Sequence, residues 1–297
     1  MYFLKAQKVL KNFMTAKISK RRKVIMYKVV VSDLDGTLLN SDQEVSDFSK
    51  EVIRKLVKKK VKFYIATGRA YPDAKRIMKS IGIKIPLISA NGGVINDAEG
   101  KEIYRNNLDE KYKDIILNID YNAISDLIHI NIYSDNRWFL TEEERKVNPF
   151  EEEPDYMYEI MPMEKMKKME ITKIYYIGPR KELLKLEKII LEKTEGEVNV
   201  AFTHPECLEI FDIGVNKAMA IKKLGEMEGF TMDDVVAFGD SFNDYEMLKE
   251  AKKGYIMKNA HYTLKKALSD IEVITSNSRN GVAKKIKELY DLEIDED

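Results

Sequence analysis

Val29-Val30-Val31-Ser32-Asp33-Leu34-Asp35-Gly36-Thr37-Leu38-Leu39 is the stretch on which the reading of this chain turns. An apolar run that stops abruptly at two aspartates and a glycine reads as a buried strand whose carboxyl end carries a polar site. Alternation along a strand would place Asp33 and Asp35 on one side, but the strand ends here, and Gly36 admits a turn that no side chain hinders. Two carboxylates can then converge on one point. Left unpaired, such close charges repel, so the arrangement makes physical sense if a divalent cation neutralises them. The available ligands are hard oxygens with no His or Cys cluster beside them, which points to Mg²⁺.

The same pattern recurs outward from this stretch. Short apolar runs at residues 27–32, 61–66, 86–89, 235–238, 254–257 and 272–274 end in Gly, Asp, Asn or Thr. Helical periodicity follows them over residues 46–59, 71–81, 216–228 and 244–251. Strand and helix alternating in this way predict a doubly wound α/β core with a parallel, Rossmann-like sheet. The rhythm breaks between Val94 and Phe211. There, residues 128–133, a polar Ser134-Asp135-Asn136-Arg137 turn and residues 138–141 predict a hairpin. Residues 171–177, 198–202 and 207–211 read as further strands, and 180–193 as a helix. The expected division is a leader over 1–25, a core over 26–93 and 212–297, and an inserted α+β cap over 94–211. The charges at 142–145 and 151–153 read as a solvated loop or helix face.

Three more stretches end core strands or open a helix: Ala66-Thr67-Gly68-Arg69, Gly214-Val215-Asn216-Lys217, and Phe238-Gly239-Asp240-Ser241-Phe242-Asn243-Asp244. Together with Asp33-Leu34-Asp35-Gly36-Thr37, and in this order, they resemble the four motifs of the haloacid dehalogenase superfamily in its phosphatase form. The resemblance implies that Asp33 attacks phosphorus, while Asp35 protonates the leaving oxygen and then activates water against an aspartyl-phosphate. Related transport ATPases carry Thr at the second Asp, so Asp35 favours a phosphatase or a phosphomutase. The Thr67 hydroxyl and Gly68 amide would hold a phosphoryl oxygen at a strand-to-helix junction. Lys217, unremarkable among 50 Lys and Arg, would bind the phosphoryl group and balance the nucleophile. Asp240 would hold Mg²⁺ with the Asp33 carboxylate and the Asp35 carbonyl. Asn243 would orient the nucleophile or the phosphoryl group, and Asp244 would lie behind the metal, holding its water or Lys217.

An insertion between the second and third motifs, with Ser89-Ala90-Asn91-Gly92-Gly93 before it and Met257-Lys258-Asn259-Ala260 and Asn280-Gly281-Val282-Ala283 near the end, resembles the Cof-type branch of sugar-phosphate and cofactor-phosphate phosphatases. That branch closes a cap over its substrate. Arg69 and Asn91 are then the expected contacts to the organic part of the ester. His204 reads as a turn histidine, and His129 and His261 are given no role.

Composition bounds the partners. The formal net charge is zero with 34% charged residues, so there is no global basic field for nucleic acid. No run of about 18 apolar residues is present to insert stably in a membrane. Cys207 is the single cysteine and cannot form an intramolecular disulfide. Residues 1–25 hold eight Lys or Arg and no acid, leaving 42 basic against 50 acidic residues in the remainder. Phe3, Leu4, Leu10, Phe13 and Met14 can share a helix side opposite Lys5, Lys8 and Lys11. A targeting segment, a disordered leader and an upstream start before Met26 all fit that pattern. The expectation is a cytoplasmic Mg²⁺-dependent phosphatase, monomer or small homo-oligomer, acting on a small phosphorylated metabolite. A phosphomutase of the same superfamily and a non-catalytic phosphometabolite-binding regulator are the rivals.

Overall fold

The protein is seen in a computed structural model that describes residues 27–145 and 158–294; the basic leader and the acids at 151–153 lie outside the described residues. The described strands run in chain order as β1 (Val29–Ser32), β2 (Lys62–Ala66), β3 (Leu87–Ser89), β4 (Val94–Asn96), β5 (Glu102–Arg105), β6 (His129–Ser134), β7 (Arg137–Leu140), β8 (Tyr158–Ile160), β9 (Lys173–Ile177), β10 (Val198–His204), β11 (Cys207–Asp212), β12 (Val235–Gly239), β13 (Lys253–Met257) and β14 (Glu272–Ile274). They form two sheets.

Val29, Val30 and Val31 are all fully buried, which requires cover on both faces of their strand. β1 accordingly lies inside the larger sheet, ordered β14-β13-β12-β1-β2-β3-β4-β5. Val30, Phe63, Ile65, Val236 and Phe238 point to one face, under the helices Asp47–Lys58, Tyr71–Ile81 and Gly281–Tyr290. Val29, Val31, Tyr64, Ala66 and Ala237 point to the other, under Lys217–Glu228, Tyr245–Glu250 and Tyr262–Ala267. Burial of each Val, Ile or Phe among them contributes roughly 1.5–3 kcal/mol. The six strands from β14 to β3 pair in parallel, so their carboxyl ends share one edge. This is the doubly wound arrangement expected from the sequence.

The structure departs from the expected boundary at residue 93/94. β4 pairs antiparallel with β3 and β5 antiparallel with β4, so both extend the core sheet rather than opening the insertion. The cause is a chain reversal: Asn91 and Gly92 have φ of 57° and 105°, and a Cβ on Gly92 would stand 2.4 Å from the Asn216 carbonyl oxygen. The chain therefore turns back along β3 before it leaves for the second sheet.

That sheet, ordered β10-β11-β9-β6-β7-β8, is apolar on one face. Ile130, Ile132, Ile174, Tyr176, Leu208 and Ile210 pack there with Ile116 of the helix Glu110–Leu117 and with Leu183, Leu186 and Ile190 of Arg180–Lys193. The period of two sends Tyr133, Lys173, Tyr175, Glu209 and Phe211 to the opposite face, where they line a cavity against the core. The β6–β7 hairpin closes on Asp135 and Asn136, with φ of 49° and 57°. These are the left-handed values that a two-residue turn between twisted strands demands. Tyr133 joins the two sheets: it packs on Ala90 and Val94, and its hydroxyl accepts from Tyr71 N at 3.1 Å.

Candidate active site

β1 ends at Ser32, and the chain then makes a tight turn. Asp35 (φ −71°, ψ 125°) and Gly36 (φ 71°, ψ −2°) have the angles of a type II turn, whose third position requires positive φ and favours glycine. Space imposes glycine as well, since a Cβ at position 36 would lie 2.3 Å from Asp240 Oδ2. Asn259 Nδ2 donates to the Gly36 carbonyl at 2.7 Å, and the Thr37 hydroxyl donates to Asp240 Oδ1 at 2.8 Å. The turn is thus pinned against the end of β12.

Parallel pairing of β1 with β12 sets Asp33 and Asp240 at neighbouring strand ends, with Asp33 N donating to the Phe238 carbonyl at 3.0 Å. Carboxylate oxygens of Asp33, Asp240 and Asp244 lie within 4.8 Å of one another. Lys217 opens the helix Lys217–Glu228 after the Asn216 cap, whose side chain accepts from Met219 N. Its ammonium is buried and donates to Asp33 Oδ1 and Asp244 Oδ1, both at 2.6 Å. The second oxygen of Asp244 accepts from the Asp240 and Ser241 amides at 2.9 and 3.0 Å.

Electrostatics follow from this crowding. Burial pushes Asp33 well above the ordinary carboxyl value; Lys217 opposes the shift, and Asp244 and Asp240 add to it. Burial also raises Asp240, to about 6, with Asp244 adding and the Thr37 hydrogen bond opposing. Lys217 is raised, because Asp244 and Asp33 together outweigh its burial. Three carboxylates and one ammonium leave an excess of negative charge, and every donor atom is a hard oxygen. The set fits a divalent cation of the Mg²⁺ kind.

Thr67 and Gly68 follow β2. Thr67 is fully buried, and its hydroxyl accepts from Arg69 N at 3.1 Å; Gly68 faces the cavity. Arg69 also lines the cavity, yet its guanidinium is engaged on the protein. It donates to both oxygens of Asp35 at 2.8 and 2.6 Å and to Asp73 at 2.9 Å. Asn91 is 2% exposed, with Nδ2 donating to Glu209 at 2.9 Å and Oδ1 accepting from Asn243 at 3.0 Å. The two residues expected to meet the organic part of a substrate are therefore held by protein partners at the cavity wall.

The cavity, about 1000 Å³, is lined by Asp33, Asp35, Gly68, Asp240 and Asn243 on the core side and by Lys173, Tyr175, Phe202, Glu209 and Phe211 opposite. Lys173 and Glu209, which no sequence motif marks, form a buried ion pair at 2.7 Å. The available signal was a single charge inside an apolar strand, Lys173 before Ile174-Tyr175-Tyr176-Ile177 and Glu209 between Leu208 and Ile210. His129 pairs with Glu144 in the second sheet's layer and His261 caps Tyr262–Ala267. The side chain of His204 lies outside the described residues.

The haloacid dehalogenase-like hydrolase family profile matches residues 30–286. A Buchnera aphidicola subsp. Baizongia pistaciae protein that carries a provisional phosphatase name is 35% identical over 271 residues, covering 89% of this chain and 99% of its own. An HMP-PP phosphatase from Yersinia pseudotuberculosis is 29% identical over 258 residues, covering 87% and 93%. Among solved structures, a haloacid dehalogenase-like hydrolase from B. subtilis has a TM-score of 0.75 at 26% identity, covering 88% of this chain and 99% of its own. Among the described residues no helix is long and apolar enough to cross a membrane. With the acidic strand ends, the buried lysine and the doubly wound sheet in one arrangement, this chain belongs to the haloacid dehalogenase-like hydrolase family and is an enzyme of that kind.

Proposed function

We propose that the protein is a Mg²⁺-dependent phosphatase of small phosphorylated metabolites that works through an aspartyl-phosphate on Asp33. The observation that carries this reading is the Lys217 ammonium buried 2.6 Å from Asp33 Oδ1, with Asp35 set by the Gly36 turn at the open side of the same carboxylate cluster. Asp33 forms the bond to phosphorus as the ester P–O bond breaks, and Asp35 gives the leaving oxygen its proton. Asp35 then takes a proton from water, which attacks the same phosphorus and frees Asp33. The Arg69 guanidinium forks onto both oxygens of Asp35 and fixes the direction in which that carboxyl faces. The Thr67 hydroxyl, the Gly68 amide, Asn243 and Lys217 bear on the phosphoryl oxygens, where charge neutralisation is the main demand.

Asp33, Asp240 and the Asp35 carbonyl would hold Mg²⁺, with Asp244 behind them; the ion supplies neutralisation of the clustered carboxylates and of the phosphoryl charge. The second sheet, with residues 106–211, acts as the cap that covers the ester and selects its organic part. The HMP-PP phosphatase relative supports a phosphorylated small molecule as the substrate, and a cavity of about 1000 Å³ has room for one. Phosphate release from a panel of phosphorylated metabolites in Mg²⁺, with acid-quench mass analysis of the Asp33 peptide, tests the reading. Released phosphate and a phosphorylated Asp33 peptide are expected; an enzyme that releases none from any ester overturns it.

A further inference from the structure

One hydrogen-bond chain crosses from the second sheet into the phosphate side of the core site. Lys173 of β9 and Glu209 of β11 are 5% and 6% exposed, with Nζ and Oε1 2.7 Å apart. Lys173 Nζ also lies 3.4 Å from the Gly68 carbonyl. The other oxygen of Glu209 accepts from Asn91 Nδ2 at 2.9 Å, and Asn91 Oδ1 accepts from Asn243 Nδ2 at 3.0 Å. Asn243 Oδ1 in turn accepts from the Ser241 hydroxyl at 2.9 Å. Asn243 lines the same cavity as Asp33 and Asp240.

Chemistry gives this chain one direction. An ammonium can only donate and a carboxylate can only accept. Glu209 therefore takes an N–H from Asn91, so Asn91 offers its oxygen to Asn243, and Asn243 must use its own N–H there. An amide nitrogen carries two hydrogens, and Asn91 takes only one of the two on Asn243. Reverse the chain, and Asn243 would present a carbonyl oxygen to an anionic phosphoryl group. The direction does not depend on which way either amide is drawn, since it is set at the Lys173 end.

We infer that Glu209, held by Lys173, is a positioning residue of the reaction that acts through Asn91 to turn an Asn243 N–H toward the transferring phosphoryl group. The inference rests on the phosphatase reading above. It assigns to the inserted sheet a part in the chemical step, besides selection of the organic part of the ester.

The test is a displacement of the carboxylate along the chain. In Glu209→Gln, the Gln oxygen must face Lys173, so its amide N–H faces Asn91 and reverses every later bond. In Asn91→Asp with Glu209→Gln, the Gln N–H meets a carboxylate at 91, which again accepts from Asn243 N–H. With p-nitrophenyl phosphate at saturating Mg²⁺, Glu209→Gln is expected to lower kcat about 100-fold, the scale of one lost transition-state donor, with a smaller change in KM. The double variant is expected to recover at least about tenfold of that loss. A need for the Lys173–Glu209 ion pair alone would leave the double variant as poor as the single one, and that result overturns the inference. So does Glu209→Gln with wild-type kcat. Should Glu209→Gln fail to fold, Asn243→Asp, which places an acceptor where the N–H is required, is expected to lose kcat similarly, and full activity there overturns the inference. A wild-type enzyme that releases no phosphate would instead remove the phosphatase reading itself.

Discussion

The two walls of the cavity are built in opposite ways. On the core side, Asp33, Asp35, Gly68, Asp240 and Asn243 sit at strand ends or one turn beyond them, and each belongs to a short run whose backbone geometry is local. On the facing side, Lys173, Tyr175, Glu209 and Phe211 come from two strands of an antiparallel sheet, chosen only by alternation. The core wall concentrates charge and holds it with buried partners; the facing wall is mostly aromatic around one neutralised ion pair. The difference teaches that a fixed reaction centre is encoded by contiguous residues, whereas the surface that meets the rest of a substrate is encoded by side chains spread along the chain.

This contrast can be broken first at its strongest point. Asp33→Asn should leave the far-ultraviolet circular dichroism unchanged and lower turnover of p-nitrophenyl phosphate by about 10⁴-fold or more, as loss of a covalent nucleophile does. Turnover within tenfold of wild type would remove the nucleophile from the core wall. Chelation comes next: EDTA should lower activity by about 10³-fold and Mg²⁺ should restore it, because Lys217 alone cannot offset three carboxylates and a phosphoryl group. An activity indifferent to chelation would detach the acidic cluster from the reaction.

The facing wall should respond in kind rather than in degree. Phe211→Ala should change the ratio of kcat/KM between two phosphate esters by about tenfold, while p-nitrophenyl phosphate turnover stays within about twofold. An equal loss on every ester would make the aromatic wall a structural support instead of a selector.

The smallest effect is thermal. Asp240, raised to about 6, and Asp33, raised as well, hold their protons longer in the folded protein than in the unfolded chain. Each therefore stabilises the metal-free fold while protonated, fully below the ordinary Asp value of 3.8, and loses that contribution as pH rises through its folded value. The melting temperature of the metal-free protein should fall by a few degrees between pH 5 and pH 7, and Mg²⁺ should remove most of that slope. Parallel pH profiles with and without Mg²⁺ would show that the carboxylates are not the shared site of the ion.

Much of the core was legible because its signals are local. Val29-Val30-Val31 stops at Asp33 because a strand buried on both faces must end where charge begins, and Gly36 marks the turn that Asp240 crowds. The paired Asp135-Asn136 turn was readable for the same reason. β4 and β5 were assigned to the wrong side of a boundary because Val94-Ile95-Asn96 is equally apolar on either sheet, and only the reversal at Asn91-Gly92 decides which one receives it. Arg69 reads in the sequence as a substrate contact, and the fold also gives its guanidinium Asp35 and Asp73 as partners.

By itself, then, the amino-acid sequence determined the alternation of strand and helix, the acidic strand ends and the lysine that opens a helix, since each depends on neighbours a few residues away. Tertiary structure alone decided which strand the chain returned to, which partners Arg69 and Asn91 took, and that Lys173 and Glu209 meet above the site. Contacts such as Arg69–Asp35, Lys173–Glu209 and Asn91–Asn243 join residues 34, 36 and 152 positions apart, and no local propensity carries information over such a distance.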